Sequence, residues 1–151
     1  MAKKIFFFTA FISLFFILYG ESRKFFCLSD GKCITVWKTY NNVCYIIPGK
    51  YYGIVRPSSH SFIQTTNNNI LDIIWIENSD DLIINSDNDS NIIVKNSSQG
   101  TKFIKYNINK VYNDSSFTYI DGPYHRYKKS VNYLNIFISE NYAVGKNGKK
   151  L

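Results

Sequence analysis

The sequence predicts an all-β protein, a single antiparallel β-sandwich or closed barrel of roughly eight to ten short strands, behind an N-terminal signal peptide. Two patterns carry this prediction. Short β-prone runs alternate with clusters of Asn, Asp, Gly, Ser and Pro from position 33 to position 139, and helical periodicity is nearly absent. Ahead of these runs, an uncharged apolar segment occupies the N-terminus.

The N-terminal segment indicates the compartment. Lys3 and Lys4 precede residues 5–20, which are sixteen consecutive positions without a charged side chain. This order is typical of a secretory signal peptide. A membrane-spanning helix needs about 20 apolar residues, so a membrane anchor formed by an uncleaved leader is the alternative. We expect a secreted or periplasmic protein.

Small residues predict cleavage of the leader after Ser22 or, less well, after Gly20. Residues 1–22 are therefore interpreted as the signal peptide, and residues 23–151 as one secreted β-rich domain, long enough for a sizeable core. The bulky residues immediately before Cys27 argue against a lipid anchor on that cysteine.

Alternation along each run predicts the strands and their inner faces. Residues 70–76 of the predicted strand 70–77 are apolar on both faces and predict the most buried strand, in which Asp72 is the one inconsistent residue. The predicted inner faces elsewhere include Leu134, Ile136 and Ile138 on one strand and Ile104, Tyr106 and Ile108 on another. The predicted strands are residues 33–38, 43–47, 50–56, 60–65, 70–77, 81–85, 91–95, 102–112, 117–121 and 131–139.

Three cysteines lie close together at the start of the domain, and an exported chain favours a disulfide. Cys33 and Cys44 lie in two runs that predict a hairpin, so this pair is favoured, although the best turn residues, Asn41 and Asn42, are not midway between them. Pairings that involve Cys27 remain open. A zinc site requires four ligands that the neighbouring sequence lacks.

The formal net charge is +7, which favours anionic partners. Envelope polysaccharide, anionic lipid or another envelope protein are the partners we expect. No phosphate-binding loop, dinucleotide motif or base-reading helix is present, so neither a cofactor nor specific nucleic-acid binding is predicted.

The acidic residues near position 88 pose the question of a calcium site. Asp87, Asp89 and Asn91 place side-chain oxygens at alternate positions, as a calcium loop does. The pattern then fails, because Ile92 stands where an EF-hand has glycine and Ser98 where it has a bidentate acid. A polar hairpin loop is the preferred interpretation; no metal site is predicted, and weak calcium binding is left open.

The aromatic and basic segment at residues 124–129 is the best candidate for a binding site. Its side chains would stack on sugar faces while neutralising acidic groups; a surface loop whose tyrosines cover a sheet edge is the competing interpretation. Tyr40, Tyr51 and Tyr52 form a second aromatic candidate. The predicted ligand-binding residues are Tyr124, His125, Arg126, Tyr127 and Lys128.

The histidines His60 and His125 stand in no recognisable nucleophile motif, so catalysis is a minority interpretation. We therefore predict an exported, non-catalytic binding protein of the cell envelope or extracellular space, which contacts anionic or sugar-bearing polymers. A protein–protein module of the inhibitor, immunity or adhesion type is the alternative, and an unrecognised hydrolase is a more distant one.

Overall fold

A computed structural model of the chain describes residues 9, 21–75, 79–86, 91–106, 113–121 and 124–151, without the side chains of Tyr119, Asp121, Tyr124 and His125. Most of the predicted leader lies outside the described residues, which include only residues 9, 21 and 22 of it. Residues 76–77 of the predicted strand 70–77, residues 87–90 of the predicted calcium loop and residues 107–112 of the predicted strand 102–112 also lie outside them. Within the described residues, no helix is long and apolar enough to cross a membrane.

The elements of the described residues are all strands. They are β1 (Ser22–Cys27), β2 (Cys33–Lys38), β3 (Val43–Pro48), β4 (Phe62–Thr66), β5 (Ile70–Trp75), β6 (Leu82–Ser86), β7 (Ile93–Lys95), β8 (Phe103–Lys105), β9 (Thr118–Asp121), β10 (Tyr124–Tyr127), β11 (Asn132–Phe137) and β12 (Tyr142–Gly145).

Ten of these strands form two sheets. Sheet A has the order β1-β2-β3-β4-β7, and sheet B has the order β12-β11-β5-β6-β8, while β9 and β10 form a separate hairpin. Every pair is antiparallel except β6 and β8, which run parallel. The all-β prediction is confirmed; the closed-barrel alternative is wrong, and so is the expectation of purely antiparallel pairing.

The two sheets share one hydrophobic core. It includes Ile34 and Val36 from β2, Leu71 and Ile73 from β5, and Leu134 from β11, all buried. These residues follow the period of two that places alternate strand side chains on one face. The inner face predicted for β11 is confirmed.

The inner face predicted for β8 is wrong. Phe103 is buried in the shared core, whereas Ile104 is partly exposed on the other side. The parallel register aligns Phe103 with Leu82, whose side chain also points into the core. A three-residue edge strand contains too few positions for alternation to identify its inward side.

Each sheet also has an apolar outer face, and a separate segment covers it. On sheet A, the buried residues Trp37, Ile47 and Phe62 pack with Tyr45 and with Tyr51 from the β3–β4 loop. On sheet B, the cover comes from the β9–β10 hairpin and the segments beside it. The apolar cluster formed by the sheet and its cover contains Ile74, Ile83, Val131, Tyr106, Phe117, Tyr127 and Tyr133.

Two edges of sheet B are covered by local devices. The carboxamide of Asn96 bonds both backbone groups of Phe103: Phe103 N donates to Asn96 Oδ1 at 2.7 Å, and Asn96 Nδ2 donates to Phe103 O at 3.0 Å. At the other edge, Lys150 forms a bridge with Val144 of β12, and Leu151 N donates to Ala143 O. Open strand edges invite pairing with other chains, and these contacts restrict it.

The disulfide joins Cys27 to Cys33, and Cys44 is a free, buried cysteine, so the predicted Cys33–Cys44 bridge is wrong. The hairpin registers explain the difference. The β1–β2 register places Cys27 directly opposite Cys33, whereas the β2–β3 register places Lys38 opposite Cys44. The inner-face position of Cys44 in β3 then places its side chain in the shared core.

The predicted strand at residues 50–56 is also wrong, because this stretch is an irregular loop. The side chains of Arg23 and Thr35 form the hydrogen bonds to its backbone that a neighbouring strand would form in a sheet. Three strands were missed: β1, β10 and β12. The first begins within the predicted leader, and the second occupies the aromatic and basic segment that was interpreted as a loop.

Candidate anion-binding surface

The β3–β4 loop, residues 49–61, crosses the outer face of sheet A and begins at a threonine anchor. Thr35 Oγ1 donates to Gly49 O at 2.6 Å, and the same oxygen accepts from Tyr51 N at 2.8 Å. Thr35 lies in the middle of β2, on the outer face. The start of the loop is thereby fixed on the sheet surface.

The next part of the loop is held by Arg23 of β1. Its guanidinium donates to Tyr51 O at 3.3 Å and to Gly53 O at 2.8 Å. The Tyr51 side chain folds back under the loop, and its hydroxyl donates to Val55 O at 2.7 Å. A Cβ on Gly53 would overlap the Tyr51 phenol, which is why glycine suits this position.

This bracing presents three apolar side chains to solvent. Tyr52, Ile54 and Val55 are 69%, 88% and 68% exposed, and we call them the apolar tip. Single exposed apolar residues are common on protein surfaces, whereas three of them within four positions of one braced loop form a candidate interaction site.

Beside the tip, cations lie over aromatic rings of sheet A. Arg23 Cζ is 4.5 Å from the Trp37 ring centroid, and Arg56 Cζ is 5.0 Å from that of Phe62. Lys95 Nζ lies 5.7 Å from the Phe62 centroid. We call Arg23, Arg56 and Lys95 the cationic face. Each pair is a cation–π contact, which orients the cation without neutralising it.

Strand register brings these residues together. Arg23 pairs with Trp37, Trp37 with Tyr45, and Tyr45 with Gln64, so one row of outer-face side chains crosses four strands. Gln64 Oε1 accepts from Arg56 Nη2 at 3.0 Å and fixes the second guanidinium over this row. The face is therefore assembled from chain segments far apart in sequence.

Acidic residues are scarce around this face. The sequence contains no Asp or Glu between Asp30 and Asp72, a stretch that includes most of sheet A and the whole covering loop. Glu21 lies near the face, where its Oε2 accepts from Trp37 Nε1 at 3.2 Å. Cations therefore outnumber acidic residues in this part of the chain, a balance that favours anionic groups.

The predicted binding segment is divided between the two faces of its hairpin. Tyr127 packs on sheet B, where its hydroxyl donates to Asp72 Oδ2 at 2.6 Å. Arg126 is exposed, Lys128 is half-buried, and the side chains of Tyr124 and His125 lie outside the described residues. Tyr127 and Arg126 are adjacent strand residues and point in opposite directions, so they do not form one patch.

Asp72, the inconsistent residue of the buried strand, belongs to a polar row on the outer face of sheet B. The β-ladders align it with Asn85 on one side and Asn135 on the other. Burial and the nearby Asp72 charge raise the pKa of Tyr133. The Tyr127 hydroxyl therefore donates a hydrogen bond to a carboxyl group that is buried on the outer face of sheet B.

Neither a Ser–His pair nor a cavity beside the disulfide forms a complete catalytic arrangement within the described residues. Ser59 Oγ lies 3.0 Å from His60 Nδ1, but both residues are exposed, and no hydrogen bond joins His60 to a carboxylate within the described chain. A cavity of about 340 Å³ beside the disulfide includes Asp30, Asn132 and Lys146 in its lining. Asp30 already accepts bonds there from Asn132 Nδ2 and Lys32 N.

Neither metal nor thiol chemistry is indicated by the geometry. No cluster of three or more His, Cys, Asp or Glu side chains suited to a metal occurs in the part of the chain that the structure describes. Burial raises the pKa of the Cys44 thiol to about 12, which keeps it protonated and a poor nucleophile at neutral pH.

Sequence reasoning identified Tyr51 and Tyr52 as an aromatic candidate but missed Arg23, Arg56, Lys95 and the apolar tip. One signal was available: the absence of acids between Asp30 and Asp72, with four cations in the same stretch. The pairing of each cation with its ring depends on sheet register and was not accessible.

Comparison with protein-family models, with curated proteins and with solved structures finds no match to this chain.

Proposed function

We propose that this chain is an exported, non-catalytic β-sandwich that binds an anionic partner through the cationic face. The observation that carries the proposal is the arrangement of Arg23, Arg56 and Lys95 over the rings of one sheet, whose strands β2, β3 and β4 and covering loop contain no acidic residue. Cations held by rings keep their charge and lose little freedom on binding, so they are prepared to meet anionic groups.

Export is part of the proposal. A disulfide persists in oxidising compartments outside the cytoplasm, and the Cys27–Cys33 bridge agrees with the interpretation of residues 5–20 as a signal. Because β1 begins at Ser22 and Glu21 bonds Trp37, cleavage after Gly20 keeps these contacts, whereas cleavage after Ser22 removes them. We expect the intact mass of the mature chain to correspond to an N-terminus at Glu21.

The test is retention on an immobilised polyanion, measured as the salt concentration at elution. Arg56→Gln and Lys95→Gln are expected to weaken binding by up to about fivefold each, the range for one exposed ion pair, and the loss should shrink at high salt. Lys102→Gln is the matched control, an exposed lysine outside the cationic face. Equal shifts for Lys95→Gln and Lys102→Gln would reduce the binding to net charge and overturn the proposal.

The β9–β10 hairpin is the second candidate, because Arg126 is exposed there with Lys128 and Lys129 close by in sequence. Arg126→Gln and Arg56→Gln each remove one exposed guanidinium. A larger loss from Arg126→Gln would transfer the site to the hairpin. Tyr127→Ala would not be informative, because Tyr127 also packs on sheet B.

A protein–protein module is the alternative function. The edges of β8 and β12 are covered by Asn96 and by the C-terminal residues, which leaves β1 and β7, the two edges of sheet A, for strand addition. Partner binding that survives Arg56→Gln and Lys95→Gln together, and is insensitive to salt, would favour this alternative.

A further inference from the structure

We propose that the anionic partner is the surface of a lipid bilayer and that the apolar tip, Tyr52, Ile54 and Val55, inserts into it. The inference rests on the proposed function, since the cationic face would supply the attraction to anionic headgroups. It adds a second contact, apolar and separate from the charges.

The first step is the orientation of the tip. Hydrogen bonds from Arg23 and Tyr51 hold the loop backbone from beneath, and the three tip side chains project outward. Phe25, itself partly exposed, extends this surface, with its ring centroid 5.0 Å from that of Tyr52. Apolar side chains that project from a braced loop suit a deformable apolar medium, and the bracing reduces the ordering cost on insertion.

The second step is charge. The exposed residues Lys50 and Arg56 flank the tip in sequence, and no acidic residue occurs in the loop. An apolar surface bordered by cations is typical of segments that lie in the interface of anionic membranes. A soluble polyanion would engage the cations alone and leave the tip in water, whereas a bilayer satisfies both.

The third step is position. Arg23, which bonds the loop at Gly53 O, stands three residues after the end of the apolar segment 5–20. The polypeptide therefore enters the domain beside the tip. The tip therefore lies beside β1, the first described strand of the domain.

The test uses a local probe, so that it does not depend on how the N-terminus is processed. The full chain is expressed through its export route as two variants, Ile54→Trp and Ile120→Trp. Ile120 is the matched control, 73% exposed but on the β9–β10 hairpin. The native residues Trp37 and Trp75 are buried and provide a constant background.

Each variant is mixed with vesicles of phosphatidylcholine, with or without phosphatidylglycerol, and with lipids brominated on the acyl chains. We expect the Ile54→Trp emission to shift to the blue and to be quenched by brominated chains only when phosphatidylglycerol is present, and Ile120→Trp to show neither change. A double Ile54→Ser, Val55→Ser variant is expected to lose about tenfold or more in vesicle affinity.

The outcomes separate the inference from the function beneath it. Salt-sensitive binding to vesicles or polyanion without a shift or quenching at position 54 overturns insertion and leaves the proposed function standing. Equal quenching at positions 54 and 120 indicates unspecific adsorption and also overturns insertion. Loss of all salt-sensitive binding overturns both, and salt-insensitive capture of a protein partner by the tip assigns the surface to that class instead.

Discussion

The outer faces of the two sheets are both covered by segments of the chain, but the two covers differ. Each face carries a cluster of buried apolar residues, and each is covered by a segment from outside the shared core. On sheet A, the covering loop directs Tyr51 inward and leaves Tyr52, Ile54 and Val55 exposed. On sheet B, the hairpin directs Tyr127 inward to the buried Asp72.

The difference concerns what the polar groups do. On the side of sheet A, Arg56 and Lys95 lie over the Phe62 ring and are exposed to a partner, whereas Arg23 is half-buried and donates to the loop carbonyls. On the side of sheet B, the hydroxyl of Tyr127 donates to the buried carboxyl group of Asp72, and this bond contributes to stability. Composition alone does not distinguish these roles, because both covers combine aromatic residues with lysine or arginine.

The largest expected effect tests whether the outer face of sheet A is a second core. Trp37→Ala removes a buried ring that packs below Arg23 and bonds Glu21. We expect a loss of about 3–5 kcal/mol in the free energy of unfolding, measured by urea denaturation. Tyr40→Ala, at an exposed turn residue, should change it by less than about 0.5 kcal/mol. Similar values for both would show that the ring contributes little to packing.

The next effect concerns the cover of sheet B. Tyr127→Phe keeps the ring and removes the hydroxyl that donates to Asp72, so a buried acceptor loses a donor. The expected loss is about 1–3 kcal/mol in the free energy of unfolding. Tyr40→Phe is the control for the hydroxyl itself. An unchanged stability for Tyr127→Phe would mean that the hairpin is held by apolar contacts alone.

A third effect separates the shared core from both covers. Burial raises the pKa of Cys44 to about 12, above its value in the unfolded chain. The folded state therefore keeps a proton that the unfolded state releases, and stability should fall as pH rises above about 9, by up to about 1.4 kcal/mol per pH unit. Comparing wild type with Cys44→Ala across this range isolates the thiol. Parallel curves would show that the cysteine is not desolvated.

The smallest expected effect on stability belongs to the loop. Gly53→Ala displaces the Tyr51 phenol and breaks its bond to Val55, while the rest of the sheet stays packed. Stability should fall by less than about 1 kcal/mol, yet binding to anionic vesicles should weaken more than in Ser58→Ala, a matched change in the same loop. Unaltered binding would show that bracing of the tip is unimportant.

Local alternation predicted much of the fold. The bounds of β2 were predicted correctly, and the β2–β3 turn forms around Asn42, which adopts a positive φ of 62°. The predictions failed where side chains distant in sequence override local preference. Residues 50–56 look like a strand, but Arg23 and Thr35 bond their backbone groups. The disulfide was misassigned because β1 was not recognised opposite Cys33.

The candidate site was less accessible than the fold. The sequence contains the aromatic and basic residues, but register decides which ring lies below which cation. Tyr127 illustrates the limit: its partner Asp72 is 55 positions away, so Asp72 alone looked inconsistent and Tyr127 alone looked like a ligand-binding residue. Only the fold shows that one satisfies the other.

Asn96 has a consequence for behaviour in concentrated solution. Its amide gives Phe103 one donor and one acceptor, as the backbone of an adjacent strand would. A second molecule approaching β8 finds those groups occupied, so we expect a single carboxamide to hinder fibre-like growth through this edge. Resistance to self-association would then depend on a residue that contributes little to the core.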